Sequence, residues 1–228
     1  GLSKSVALDT ILEKINNLVD KGFKEIVLTG VDITCWGSDL SGNDKLGDLV
    51  VRILDETPDL PRLRLSSIDV SEMDDGLLHV FKTNRRMMPH LHLSLQSGNN
   101  LILKRMKRRH SREQAIDLCK DLKAARPELT FGADLIAGFP TESDTMFSDT
   151  VRLVDECGIS WLHIFPYSGR PNTPASRMPQ VNQYEISKRS KVLRELAQRK
   201  KIQHFAKLKD KTLSVLMESE FRGRAEDF

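Results

Sequence analysis

Cysteine is scarce in this 228-residue sequence: Cys35, Cys119 and Cys157 are the only three, far apart and never in a Cys-x-x-Cys spacing. An odd count of isolated cysteines argues against a disulfide framework and fits free thiols in a reducing, cytoplasmic setting. Each is expected to be a small buried hydrophobe, Cys119 above all, because it shares a helical stripe with Ala115, Ile116, Leu118 and Leu122. No apolar run approaches the ~20 residues a membrane span needs. Also missing are a Gly-x-Gly-x-x-Gly after a strand, a phosphate-binding P-loop, His-Glu-x-x-His and Gly-x-Ser-x-Gly, so Rossmann hydride transfer, NTP hydrolysis and serine hydrolysis all lose support. The sequence opens Gly1-Leu2-Ser3-Lys4, without Met or a basic-then-apolar leader, and the expectation is a segment of a longer chain.

Charge is present but segregated. The net +3 hides −4 over residues 1–98, +6 over 99–126, −4 over 127–180 and +5 over 181–228. Clustered positive charge on a mildly acidic body is the electrostatic footprint of a phosphate-backbone partner, although a solvated helix face explains many single runs.

Helical periodicity at Leu8, Ile11, Leu12, Ile15, Leu18 and Val19, with Ser5 as a capping residue and Gly22 after the end, predicts a first helix. The β-rich run Glu25–Thr29 follows, and the alternation repeats: strands at about 62–67, 90–95, 130–136 and 160–165, helices at about 46–56, 74–83, 99–107, 111–125 and 142–156. Such repetition implies a parallel sheet. In His90–Gln96, one face carries Leu91, Leu93 and Leu95 and the other His90, His92, Ser94 and Gln96. Leu63 and Leu65 against Arg64 and Ser66, and Ile26 and Leu28 against Val27 and Thr29, repeat the split. Doubly wound sheets are apolar on both faces. A one-sided polar face favours an α/β partial (β/α) TIM-like barrel whose lumen suits a polar ligand. For His90 and His92, hydrogen bonding in that lumen is expected ahead of metal ligation, since no carboxylate or cysteine stands at ligand spacing. From about 182 to 209, nine basic residues against two acidic, with Ile186, Leu193, Leu196, Ile202 and Phe205 as an apolar stripe, predict a basic amphipathic helix. Residues 212–218 then alternate like a strand.

Active sites of βα barrels lie at the C-terminal strand ends. Those ends here are polar or glycine-rich: Thr29-Gly30-Val31-Asp32, Ser66-Ser67-Ile68-Asp69, Gln96-Ser97-Gly98-Asn99, Gly138-Phe139-Pro140-Thr141-Glu142 and Phe165-Pro166-Tyr167-Ser168-Gly169-Arg170. Each alone reads as ordinary turn and cap chemistry; five on one rim suit a nucleoside-like cofactor. No lysine sits at a strand tip for Schiff-base chemistry, which disfavours an aldolase.

The runs from Pro89 to Gly98 and from Leu103 to Arg109, then Ala133 to Glu142 and Phe165 to Ala175, with Leu65–Asp69 and Leu28–Asp32 in the same order, resemble the radical S-adenosylmethionine (SAM) methylthiotransferase family over residues 1–218. Within it, the similarity is greatest to the branch that modifies threonylcarbamoyladenosine in tRNA. The resemblance implies a six-stranded partial barrel, of which five parallel strands are present, spanning residues 1–180, a basic linking helix over 181–210 and the start of a TRAM-like β domain over 211–228. It implies SAM and [4Fe-4S] clusters as cofactors and tRNA as the macromolecular partner of a cytoplasmic, monomeric transferase with no membrane association. The family's three-cysteine cluster loop has no counterpart, so no metal ligand is expected in these 228 residues. Implied cofactor contacts are Gly30 at the amino acid end of SAM, Ser66, Ser67 and Asp69 at the ribose or sulfonium, Gln96 and Asp134 in the lumen, and Gly138, Phe139 and Pro140 beside the adenine. The family more often has Glu where Asp69 stands. Lys107, Arg108, Arg109, Tyr167 and Arg170 are implied for the RNA substrate. Isopentenyladenosine tRNA, a ribosomal protein aspartate, and a purely RNA-binding role stay open as alternatives.

Overall fold

The computed structural model describes residues 3–228. Its helices are α1 (Leu8–Asp20), α2 (Leu46–Glu56), α3 (Asp75–Thr83), α4 (Asn100–Arg105), α5 (Arg112–Ala125), α6 (Asp144–Glu156) and α7 (Gln183–Leu208). The strands are β1 (Glu25–Leu28), β2 (Arg62–Leu65), β3 (His90–Gln96), β4 (Thr130–Ala137), β5 (Ile159–Pro166), β6 (Val215–Ser219) and β7 (Arg222–Ala225). All five strands expected before residue 166 are present, in the expected alternation with helices. β1 pairs with β2 in parallel, β4 pairs with β5 in parallel within the sheet β3-β4-β5, and β6 and β7 form an antiparallel hairpin.

The chain divides into two compact units. The first holds the residues up to Leu91, with 122–129 and 212–228; the second holds 92–121 and 130–211. In the first, Leu12 and Ile15 of α1, Leu49, Val50 and Ile53 of α2, and Leu63 and Leu65 of β2 are buried, as their periodicities require. Ser5 does not cap α1: the capping position is Ala7, while the Ser5 hydroxyl accepts the Gly37 N–H and its own N–H donates to Asp39. Gly22 closes the helix with φ +91°, a left-handed conformation open to glycine at little cost.

Arg64 departs from the open polar face expected of it, and Arg62 shares its burial. Both are buried, Arg64 donating to Glu25 at 2.8 Å and to the carbonyls of Ala225 and Glu226, Arg62 to the Ser214 hydroxyl. Buried guanidinium groups persist where oxygen acceptors meet their donors. The C-terminal segment is thereby part of the first unit, and β7, which the polar composition after 218 concealed, supplies the Ala225 carbonyl, with Ser214 and Glu226 on either side of the hairpin.

In the second unit, Leu93 and Leu95 of β3 and Ala133, Leu135 and Ala137 of β4 are fully buried, and Leu153 and Val154 of α6 join them. Ser143 caps α6 through the Met146 N–H, and Asn182 caps α7 through the Glu185 N–H. The apolar stripe of α7 ends early. Ile186, Leu193 and Leu196 are buried, but Ile202 and Phe205 are more than half or half exposed, and His204 takes the buried position instead, edge-on to Trp161.

Candidate functional site

The polar face of the β3-β4-β5 sheet is where side chains converge. Alternation puts Leu93 and Leu95 on one side of β3 and His92, Ser94 and Gln96 on the other, all three half-buried. On β4, Asp134 points to the same side between buried Ala133 and Leu135, and register pairs it with His163 on β5. The Asp134 carboxylate meets His92 Nε2 at 3.0 Å and His163 Nδ1 at 3.3 Å, and the two imidazole rings lie 4.8 Å apart. Burial works against charge on Asp134, yet the hydrogen bond from His92 and the two imidazoles outweigh it and hold the carboxyl below the usual carboxylate range. His92 thus makes the hydrogen bond expected of it. His163 was not singled out from sequence, because its partners stand 29 and 71 positions away and meet it only through strand register; the one local signal is its polar interruption between Leu162 and Ile164.

At the end of β3, Gln96 has φ +65°, a left-handed conformation that costs a non-glycine residue about 1 kcal/mol. The following Ser97-Gly98-Asn99 is architectural. Gly98 donates to Thr150 at 2.9 Å, and a Cβ on it would sit 2.6 Å from both the Asp149 carbonyl oxygen and Thr150 Cα, so glycine is required for α6 to approach. Asn99 caps α4 and donates to Asp149 at 2.7 Å.

At the end of β4, Gly138 turns the chain with φ +76°, where a Cβ would fall 2.5 Å from Ile186. Its N–H donates to Glu142 at 2.9 Å, and Glu142 is buried and paired with Arg189 of α7 at 2.9 Å. Burial pushes the Glu142 carboxyl above its ordinary value, with the Gly138 N–H and Arg189 opposing. Arg189 also reaches Asp144 at 2.8 Å. It therefore locks α7 to the β4 turn, and is lost from the surface charges that α7 offers a phosphate backbone. Gly138, Phe139 and Pro140 are all buried, Phe139 meeting Tyr167 edge-on at 5.4 Å. The Tyr167 hydroxyl is buried without a hydrogen-bond partner, as is the second oxygen of Glu142.

In the first unit, Gly30 and Ser67 are exposed and Ser66 half-buried at the ends of β1 and β2. Asp69 already has a task, accepting from the Ser71 N–H at 3.0 Å and hydroxyl at 2.8 Å to cap a one-turn helix. Of the basic residues at the end of α4 and beyond it, Lys104, Lys107 and Arg109 are exposed and Arg108 half-buried; Arg105 is held by Thr141 at 2.5 Å. Arg170 is exposed beyond β5.

Residues 1–154 match the model of the Radical SAM superfamily. The chain belongs to this superfamily. Among the relatives of this radical SAM chain is the threonylcarbamoyladenosine tRNA methylthiotransferase MtaB of Rickettsia prowazekii, 51% identical over 86% of the chain and 46% of the relative. The MtaB of Aquifex aeolicus is 38% identical over 100% of the chain and 55% of the relative, and a tRNA-2-methylthio-N(6)-dimethylallyladenosine synthase of Shouchella clausii 33% over 96% and 42%. The chain spans about half the length of the curated relatives it matches. Among solved structures, Escherichia coli coproporphyrinogen III oxidase, a radical SAM enzyme, aligns with a TM-score of 0.60 at 14% identity over 85% of the chain and 46% of its own. The methyltransferase TsrM of Kitasatospora setae gives 0.59 at 15% over 75% and 33%. The α/β fold with parallel strands of an unclosed TIM-like barrel is that of these proteins.

The chain's own thiols do not fit an iron–sulfur cluster, which needs closely grouped thiolates. Cys35 sits in a one-turn helix of the first unit, while Cys119 and Cys157 are buried neighbours in the second, the Cys119 thiol pushed up by its bond to Cys157 and by burial. A polar organic cofactor fits better, since buried polar atoms without hydrogen-bond partners stand at the strand ends: the Tyr167 hydroxyl, whose ring meets Phe139, and one oxygen of Glu142 after the β4 turn.

Proposed function

We propose that this chain is the SAM-binding and substrate-positioning part of a tRNA methylthiotransferase, which adds a methylthio group to carbon 2 of N6-threonylcarbamoyladenosine at position 37. The observation that carries the reading is 51% identity over 86% of the chain to a relative named for that activity. SAM, with reduced iron–sulfur clusters held by protein outside these 228 residues, supplies the methyl group and one-electron chemistry.

The chain's own residues bind and orient. Gln96, Asp134 and the Gly138-Phe139-Pro140 turn serve the cofactor in the second unit. Gly30, Ser66, Ser67 and Asp69, in the first unit, are read as cofactor contacts from the resemblance of their strand ends to the family's. Lys107, Arg108, Arg109, Tyr167 and Arg170 hold the RNA. The enzyme is read as cytoplasmic and monomeric; no helix among the described residues is long and apolar enough to cross a membrane.

A second reading, isopentenyladenosine tRNA as substrate, is favoured by relatives named for the dimethylallyladenosine product at 33% identity. Equilibrium binding of SAM and of unmodified tRNA to the whole protein tests the reading. Binding of both, with Gln96→Leu weakening SAM alone, is expected. tRNA binding without SAM binding would reduce the protein to an RNA-binding module.

A further inference from the structure

Three neighbouring strands aim one nitrogen or oxygen donor each at a common point. We propose that His92, Asp134 and His163 form a binding site for a divalent transition-metal ion such as Zn2+. The three donor atoms lie within 4.8 Å of one another. An ion held tetrahedrally at about 2.0–2.1 Å by imidazole and carboxylate requires donors about 3.3–3.4 Å apart. The Asp134 oxygen already stands 3.0 Å from His92 Nε2 and 3.3 Å from His163 Nδ1. The His92 contact has to open by about 0.3 Å, and the exposed His163 ring can turn to set the separation of the two nitrogens, which is at most 4.8 Å.

The donor set and its setting select the ligand class. Two imidazoles and one carboxylate suit zinc, iron, cobalt or nickel better than magnesium or calcium, which take mostly oxygen. Strand register fixes Asp134 opposite His163, so the donors are positioned by backbone pairing. Side-chain exposure rises from 12% at His92 and 19% at Asp134 to 61% at His163, leaving the fourth position on the open side. Three protein ligands and one open position is the arrangement of sites that bind water or a substrate atom. The site shares Asp134 with the SAM contacts proposed above, and its test reads Zn2+ coordination and affinity rather than SAM or tRNA binding.

Asp32, Cys35 and Glu72 form the other such cluster among the described residues, and its thiol makes it distinguishable. The test is Zn K-edge X-ray absorption on the whole protein, purified anaerobically with its clusters and given one equivalent of Zn2+, with affinity measured against a chromophoric chelator. The expected first shell is nitrogen and oxygen at about 2.0–2.1 Å with imidazole scattering, and His163→Gln and Asp134→Asn each weaken Zn2+ at least about 100-fold. His163 is exposed, so its variant folds, and the absorption spectrum of the unaltered protein stands without any variant. Sulfur at about 2.3 Å around the zinc, or an affinity unchanged in His163→Gln, overturns the proposal.

Discussion

Arg189 shows how much can depend on one side chain. It is buried, and its removal strands the Glu142 carboxylate without its countercharge. Arg189→Met is expected to cost about 3–5 kcal/mol by chemical denaturation, and adding Glu142→Gln should recover much of it. Because burial raises the Glu142 pKa in the folded state, the folded chain binds more protons than the unfolded one between the ordinary carboxylate value and the raised one, so stability falls as pH rises through that window. The deficit of Arg189→Met should therefore be larger at about pH 8 than at about pH 5; an equal deficit would remove Glu142 from the account. Asp134 runs the other way. Its lowered pKa gives stability that is present above the unfolded value and lost as pH falls through the folded one, so Asp134→Asn and the unaltered protein, both in chelator, should converge in stability at acid pH. On β3, Leu93→Gln buries an amide at a fully buried position and should cost about 1–3 kcal/mol, while Gln96→Leu should change stability little. Equal costs would mean that the two faces of β3 are wrongly assigned.

At the scale of elements, Gly98 decides how closely α6 packs on the end of β3. Gly98→Ala forces a methyl against two backbone atoms of α6 and should lower stability by about 1–3 kcal/mol, with the melting temperature as the measure. A neutral effect would show that α6 yields. Period-two and period-3.6 patterns made the five parallel strands and seven helices legible, because those patterns are set by which residues face the core. The same patterns could not show that Arg62 and Arg64 are buried, since their partners, Glu25 and the 214–226 segment, are distant in sequence. Nor could they show the His92, Asp134 and His163 cluster, which spacing alone argued against and strand register created. The Ser97-Gly98-Asn99 turn reads equally as cofactor contact or as packing, and its hydrogen bonds and close approach are those of packing.

Over the whole molecule, charge segregation carries the expectation of an RNA partner. If Lys107, Arg108 and Arg109 contact phosphates, neutralising all three should flatten log affinity for tRNA against log salt by up to about two to three units, with SAM binding kept. An unchanged slope with a clear loss of thermal stability would make these side chains part of the fold instead. The central claim is the chemistry on tRNA, and nucleoside mass spectrometry of tRNA from cells deleted for the gene addresses it most directly. The account predicts unmethylthiolated N6-threonylcarbamoyladenosine in the deletion, restored to its 2-methylthio form by the whole protein. Unaltered methylthiolation of that nucleoside in the deletion would contradict it, and loss confined to the isopentenyladenosine derivative would move the activity to the second substrate.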